Sequence, residues 1–333
     1  MPGYVKKKLL EYKHLQPRRR QDCPLAPAPR SFGKNSQCPA EPDNSPVLHA
    51  DEKKYIEQVV GSFLFYGRAV DPTTVHALSD ISSTQANPTT ATKKKTTQFL
   101  DYMDTHPDAK IRYYASDMVL NVHSDASYLC ASNARSRASG HFFLGSIPVD
   151  KQPIKLNGVI HTLCQILKLV AASVAEAELG ALFLNTRLAK IIRLILKELG
   201  HPQPQIPIHS DNTTTIGIVN NTIKRQKSRA MEMRYFWLLD SEAQKYFKFH
   251  YHPGLENLAD YTSKAHDAAN HRHARPYYVH NNLSPRTLVR ALMPSTRRGC
   301  VKPIRDSYLR RQPLPVLRTS TNHNKLVPAA AAA

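Results

Sequence analysis

Paired cysteines are missing from this chain. Cys23, Cys38, Cys130, Cys164 and Cys300 are odd in number and never spaced as CxxC, which excludes a disulfide framework and fits a reducing compartment. Long apolar runs are missing as well. The most apolar stretch, 178–200, is interrupted by Arg187, Lys190, Arg193 and Lys197, and Met1 to Leu10 has charge but no apolar core of signal-peptide length. Neither a membrane span nor a secretory signal is expected. Acid is scarce, with 26 Asp and Glu against 46 Lys and Arg and a formal charge of +20. Such an excess points to a polyanionic partner, because each cation set against a phosphate releases a condensed counterion; nucleic acid is the expected one.

What is present divides into four stretches. Residues 1–51 read as a basic, proline-rich linker with little to bury: Arg18-Arg19-Arg20 and the prolines between Pro17 and Pro46 supply charge and stiffness. Residues 52–117 read as a small helical module, because Ile56, Val59, Val60, Phe63 and Leu64 repeat at helical spacing, as do Phe99, Leu100 and Met103. Residues 118–268 read as an α/β domain. Its strands are predicted at 119–124, 141–149, 153–160, 206–209 and 247–251, with a turn at Asp150-Lys151-Gln152 between the second and third. A long amphipathic helix over 178–199 places Leu182, Ile191, Ile195 and Leu199 on one face and stops at Gly200. Further helices are predicted at 212–221, 228–245 and 255–264. Residues 269–333 read as a basic, largely disordered tail. No internal repeat is visible.

The few acids sit where strands end. Asp125 closes the first strand and Asp211 the fourth, Glu178 opens the long helix, and Asp260 lies on the last one. Groups at strand ends of an open α/β sheet converge on one rim, where ligands bind. Gathered carboxylates repel one another unless a cation lies between them, and hard oxygen ligands suit Mg²⁺ or Mn²⁺. Two such ions about 3.5–4 Å apart serve phosphodiester hydrolysis. Taken singly, each acid reads equally well as a helix cap or a turn residue.

At these residues the sequence resembles the ribonuclease H domain that ends copia-type LTR retrotransposon Pol polyproteins. The block Lys168-Leu169-Val170-Ala171-Ala172-Ser173-Val174-Ala175-Glu176-Ala177-Glu178-Leu179 is similar to the family's KTVALSTAEAEY, and Ser139-Gly140-His141-Phe142-Phe143-Leu144-Gly145 to its TSGYVFFLGG. Ser210-Asp211-Asn212 matches CDN. Met233-Arg234-Tyr235-Phe236, with Leu258-Ala259-Asp260-Tyr261-Thr262-Ser263-Lys264, matches DIRYHF…LADILTK. Upstream, Val60-Gly61-Ser62-Phe63-Leu64-Phe65-Tyr66 resembles VGSLLYL, and Asn87-Pro88-Thr89 fits NPT. The blocks run in the family's order over residues 52–268.

The resemblance implies an RNase H-like mixed five-stranded sheet flanked by helices, after a helical connection module. It implies a catalytic Asp-Glu-Asp-Asp set, mapped onto Asp125, Glu178, Asp211 and Asp260, that holds two Mg²⁺ or Mn²⁺ ions. The implied activity is cutting of the RNA strand of RNA–DNA hybrids beside the polymerase domain of the same polyprotein, in the cytoplasm (a virus-like particle) or the nucleus. Glu178 is preferred to Glu176 because the family's ligand precedes a bulky apolar residue; Glu176 then caps the helix or faces solvent. His252 is an auxiliary candidate for product release. No Tyr-x-Asp-Asp motif and no adjacent pair of aspartates occurs, so polymerase activity is not expected, and the chain reads as the end of a larger polyprotein. Arg137-Ala138-Ser139-Gly140 departs from the family's Lys-Ser/Thr-Ser-Gly.

Other readings weigh less. A catalytically idle nucleic-acid-binding module would need no acids, yet all four are present. Integrases order their acids Asp, Asp, Glu, whereas here Glu comes second. His266, His271, His273 and His280 lack the tight spacing and the near thiol of a zinc site. Phe236 and Trp237 are expected to pack in the core.

Overall fold

The computed structural model describes residues 1–27, 42–149, 154–221 and 229–280, all within one unit, Met1–Pro294. The predicted turn at 150–152 and the tail beyond 280 lie outside the described residues. Among those described, no helix is long and apolar enough to cross a membrane.

Four helices come first: α1 (Tyr4–Glu11), α2 (Ala50–Ala69), α3 (Val75–Thr84) and α4 (Thr90–Thr105). The helical spacing at Ile56, Val59, Val60 and Phe63 is the buried stripe of α2, closed by Leu78 and Ile81 of α3 and by Phe99, Leu100 and Met103 of α4. Asn87-Pro88-Thr89 sets the start of α4. Thr89 caps it in a reciprocal box, its hydroxyl accepting the Thr92 N–H and its own N–H donating to the Thr92 hydroxyl, both at 3.3 Å. The expected linker needs correction. α1 buries Val5 and Leu9 in this same core, joined by Leu25, so part of 1–27 is packed despite its lysines and prolines. Two apolar residues four apart are enough to make one buried face.

The α/β part is built on β1 (Val119–Ala131), β2 (Arg135–Gly145), β3 (Val159–Ile166), β4 (Ile206–Ser210) and β5 (Phe247–Tyr251), in the order β3-β2-β1-β4-β5. The first three strands form an antiparallel meander, and β4 and β5 run parallel to β1. α5 (Val174–Glu198), α6 (Thr213–Val219), α7 (Arg229–Ala243), α8 (Leu258–Ser263) and α9 (Ala268–Ala274) complete the chain.

The third strand lies later than predicted. Ile154 and Leu156 alternate as a strand would and are buried against Phe143, Tyr261 and Tyr278, but only a single bridge at Lys155 falls between them and the segment is no strand of the sheet. Alternation reports a buried face, not a hydrogen-bonded neighbour. The tail boundary also moves, because α9 continues the ordered chain and His271, Ala274, Tyr278 and Val279 are buried.

One face of the sheet (Leu120, Val122, Phe142, Ile208, Phe249) packs on Leu179, Leu182, Ala189 and Leu196 of α5 and on Tyr235 and Leu238 of α7. Phe142 is fully buried, worth about 2–3 kcal/mol of apolar transfer. The predicted stripe on α5 was misaligned. Ile191, Ile195 and Leu199 are more than half exposed while Leu182 is fully buried: nine residues is two and a half helical turns, so Leu182 and Ile191 face opposite ways. Trp237 packs edge-on against Phe183, whereas Phe236, expected in the core, is half exposed.

Candidate metal centre

Because β1 and β4 are parallel neighbours, with Val122 beside Ile208 and His123 beside His209, Asp125 and Asp211 come level with each other, each two residues beyond the paired histidines. Asp211 follows the end of β4 as expected, but Asp125 does not close its strand: it lies inside β1, paired with Ser139, because the hairpin with β2 carries β1 on to Ala131. α5 lies across the other face and brings Glu178 over that rim from its first turns. Its start is fixed by Ser173, whose hydroxyl accepts the Glu176 N–H at 3.2 Å. Glu176 is buried and accepts the Ala172 N–H at 2.7 Å. It caps the helix and does not face solvent, while Glu178 turns to the rim. Asn185, two turns further along α5, donates to the Ser124 hydroxyl at 2.9 Å and to the Ser139 carbonyl at 2.7 Å. It reaches them across Gly140, where a Cβ would collide with its amide.

Asp125, Glu178 and Asp211 each offer a carboxylate oxygen within 4.8 Å of the other two. Asp125 and Glu178 are buried, Asp211 partly so, and Oδ2 of Asp125 and Oε2 of Glu178 are buried without a hydrogen-bond partner. Burial first, then repulsion from the Asp260 carboxylate, lifts Asp125 to about 7. Burial and the charges of Asp125 and Asp211 push Glu178 well above its ordinary value, and burial with Asp260 raises Asp211. Orphaned, mutually repelling oxygens on three converging carboxylates are a donor set that fits a hard divalent cation.

The fourth expected acid stands apart from this triad. Asp260 is on α8, ion-paired with Lys264 one turn on, near enough for its charge to lift Asp125 and Asp211. Burial works against the charge of Lys264, but Asp260 and Asp125 outweigh it and hold its pKa up. His252 begins the loop after β5, its backbone N–H donating to the Ser210 carbonyl at 2.9 Å. Its ring packs against His123 and His209 at centroid separations of 5.4 Å, with Nε2 3.6 Å from Glu256.

One feature went unread in the sequence. His141, His123, His209 and His250 are register partners on β2, β1, β4 and β5, forming a row of imidazoles across the sheet beneath the acids. Burial depresses His123 well below its usual value and takes His141 and His209 to about 3, so these rings are neutral. A histidine two residues before both Asp125 and Asp211 was the available signal, since a spacing of two keeps both side chains on one face of a strand. The histidines considered for zinc are engaged otherwise: His266 contacts the Tyr261 carbonyl and Asn270, and His271 contacts Tyr102 and Tyr261.

No protein-family model matches the chain. It is 24% identical over 208 residues, 62% of its length, to the retrovirus-related Pol polyprotein from transposon TNT 1-94 of Nicotiana tabacum, and covers 15% of that protein. Among solved structures it overlaps the N-terminal RNase H domain of rv2228c from Mycobacterium tuberculosis (12% identity, TM-score 0.31, 44% of this chain and 91% of that one). It also overlaps RNase H1 from the halophilic archaeon Halobacterium salinarum (12%, 0.31, 44% and 94%) and LC11-RNase H1 solved in complex with an RNA/DNA hybrid (10%, 0.30, 42% and 88%).

Proposed function

We propose that this chain, a distant match to a copia-type retrotransposon Pol polyprotein, is a metal-dependent endonuclease of the RNase H kind that cuts the RNA strand of RNA–DNA hybrids. The observation that carries this reading is the triad of Asp125, Glu178 and Asp211, two of them with buried oxygens that nothing in the protein satisfies. Asp260, held beside them by Lys264, is the fourth member of the proposed set.

Asp125, Glu178, Asp211 and Asp260 would hold two Mg²⁺ or Mn²⁺ ions. When bound, such ions lower the pKa of a water and stabilise the leaving oxygen of a phosphodiester. The protein's own part is to fix the ligands. The pairing of β1 with β4 brings Asp125 and the residue after β4, Asp211, alongside each other, Asn185 holds the third acid through α5, and burial keeps bulk water from the inner oxygens. The chain's charge of +20 supplies the attraction for the polyanion, and the 2′-hydroxyl and the shape of the hybrid supply selectivity. Residues 52–117 and the polymerase part of a larger polyprotein are proposed to grip the same hybrid.

The test is a labelled RNA–DNA hybrid incubated with the full chain, with and without Mg²⁺. Asp125→Asn is expected to abolish cleavage and leave hybrid affinity within about twofold, because the phosphate contacts are elsewhere. Mg²⁺-independent binding without any cutting by the parent would instead identify an idle binding module.

A further inference from the structure

Asp260 sits on α8, a helix of six residues, too short to persist through its own backbone bonds. Side chains from other elements hold it. His123 Nδ1 accepts the Leu258 N–H at 3.0 Å, and Asn257 donates to the Ser124 carbonyl at 2.9 Å. Ser139 donates to the Ala259 carbonyl and Tyr278 to the Leu258 carbonyl, both at 2.7 Å. These contacts tie α8 to the sheet and to the segment after α9.

β3 adds Cys164, whose thiol donates to the Thr262 carbonyl at 3.2 Å, and further ties come from the N-terminal helices. His76 of α3 donates through Nδ1 to the Thr262 carbonyl at 3.0 Å. Beside it runs a mostly buried relay. Asp71, in the turn between α2 and α3, pairs with Arg275 at 3.0 Å. Arg275 Nε donates to the Tyr102 hydroxyl oxygen at 3.0 Å, and that hydroxyl lies 2.8 Å from His271 Nε2. His271 Nδ1 then meets the hydroxyl of Tyr261, the residue after Asp260.

The relay has a direction. A guanidinium can only donate, so the Tyr102 oxygen accepts from Arg275, and of the two acceptors within reach of its proton His271 Nε2 at 2.8 Å is nearer than the Thr73 hydroxyl at 3.5 Å; the proton goes to His271. His271 therefore keeps its own proton on Nδ1 and donates to Tyr261. Burial takes His271 down to about 3, the neutral state this arrangement requires. The polarity starts at the Asp71–Arg275 pair and ends next to the fourth carboxylate. Apolar packing alone would let a one-and-a-half-turn helix slide, whereas directional bonds at fixed angles do not.

We propose that Asp71–Arg275–Tyr102–His271–Tyr261 is a latch through which the N-terminal helices set the position of Asp260 relative to Asp125 and Asp211. Tyr102 and His271 are positioning residues. The latch itself stands on the hydrogen bonds; only its effect on metal binding rests on the proposed function.

The test is Tyr102→Phe in the full chain, which removes one oxygen from the middle of the relay. Amide hydrogen exchange over residues 258–263 is expected to speed up about tenfold or more, with β1 and α5 unchanged. Mn²⁺ titration of the parent, Tyr102→Phe, Asp260→Asn and the double variant is expected to show affinity about tenfold weaker in Tyr102→Phe, with no further loss when it is added to Asp260→Asn. Unchanged exchange in α8 overturns the latch. So does an equal loss of affinity in the Asp260→Asn background, which marks a general structural defect. A parent that binds no Mn²⁺ overturns the metal-site reading, and the exchange data then decide the latch alone. If Tyr102→Phe fails to fold, Tyr261→Phe is judged by the same two measurements.

Discussion

The Asp211 carboxylate rests directly against the Cα of Gly254, where a side chain would overlap its Oδ2. The Tyr-His-Pro-Gly loop after β5 is thereby a wall of the acid centre, and its glycine is there for space.

Gly254→Ala is accordingly expected to displace Asp211. Mn²⁺ affinity and hybrid cleavage should each fall by about tenfold or more, in the range for groups that orient a ligand. Overpacking should cost about 1–3 kcal/mol in urea unfolding. Parent-like Mn²⁺ affinity in a folded Gly254→Ala protein would show that Asp211 does not need this wall.

Stability in the absence of metal is expected to fall as pH rises from about 6.5 to about 8. Asp125 is lifted to about 7 and Glu178 well above its ordinary value. A carboxyl raised in the folded state favours folding while it stays protonated, and that contribution is lost as pH passes its folded pKa. The buried histidines have the opposite sign: their depressed values favour folding only above about 6.5, so in this window their effect is complete and the carboxyl slope stands alone. Thermal melts in chelator should show a declining Tm that Asp125→Asn flattens, and Mg²⁺ should raise Tm more at the alkaline end. A parent curve as flat as the variant's would remove Asp125 from the cause.

Asn185→Ala is expected to cost about 2–4 kcal/mol of stability by chemical denaturation, since it leaves a small void and unpaired acceptors at Ser124 and Ser139. Glu178 rides on the same helix, so Mn²⁺ affinity should drop as well. A loss of stability with unaltered Mn²⁺ affinity would separate Asn185 from the acid centre.

Much of this was legible in the chain. The alternation around Val122, Ile208 and Phe249 marked strands because each has one face on the α5–α7 layer, and Asp211 stood out by following a strand end, whereas Asp125, expected at one, lies inside β1. What stayed hidden depends on neighbours distant in sequence. Ile154 and Leu156 are buried outside the five strands of the sheet, so their pattern displaced the predicted third strand. The azimuth of α5 was misjudged because its true inner face includes Asn185 and Ala189 beside Leu182, residues an apolar count passes over. The histidine row exists only once register sets His141, His123, His209 and His250 side by side. The relay from Asp71 to Tyr261 joins residues far apart in the chain, and no local spacing announces it.

The row of uncharged rings has a bearing on how the centre comes to be neutralised. His123 and His209, two residues before Asp125 and Asp211, and their register neighbour His141 bring aromatic bulk without positive charge. They supply no positive charge at neutral pH; Lys264 offsets part of the acids' repulsion, and the open side of the centre is the rim, where Asp211 and Asp260 are partly reachable by solvent. An ion entering from that side would meet the outer carboxylates before the inner pair.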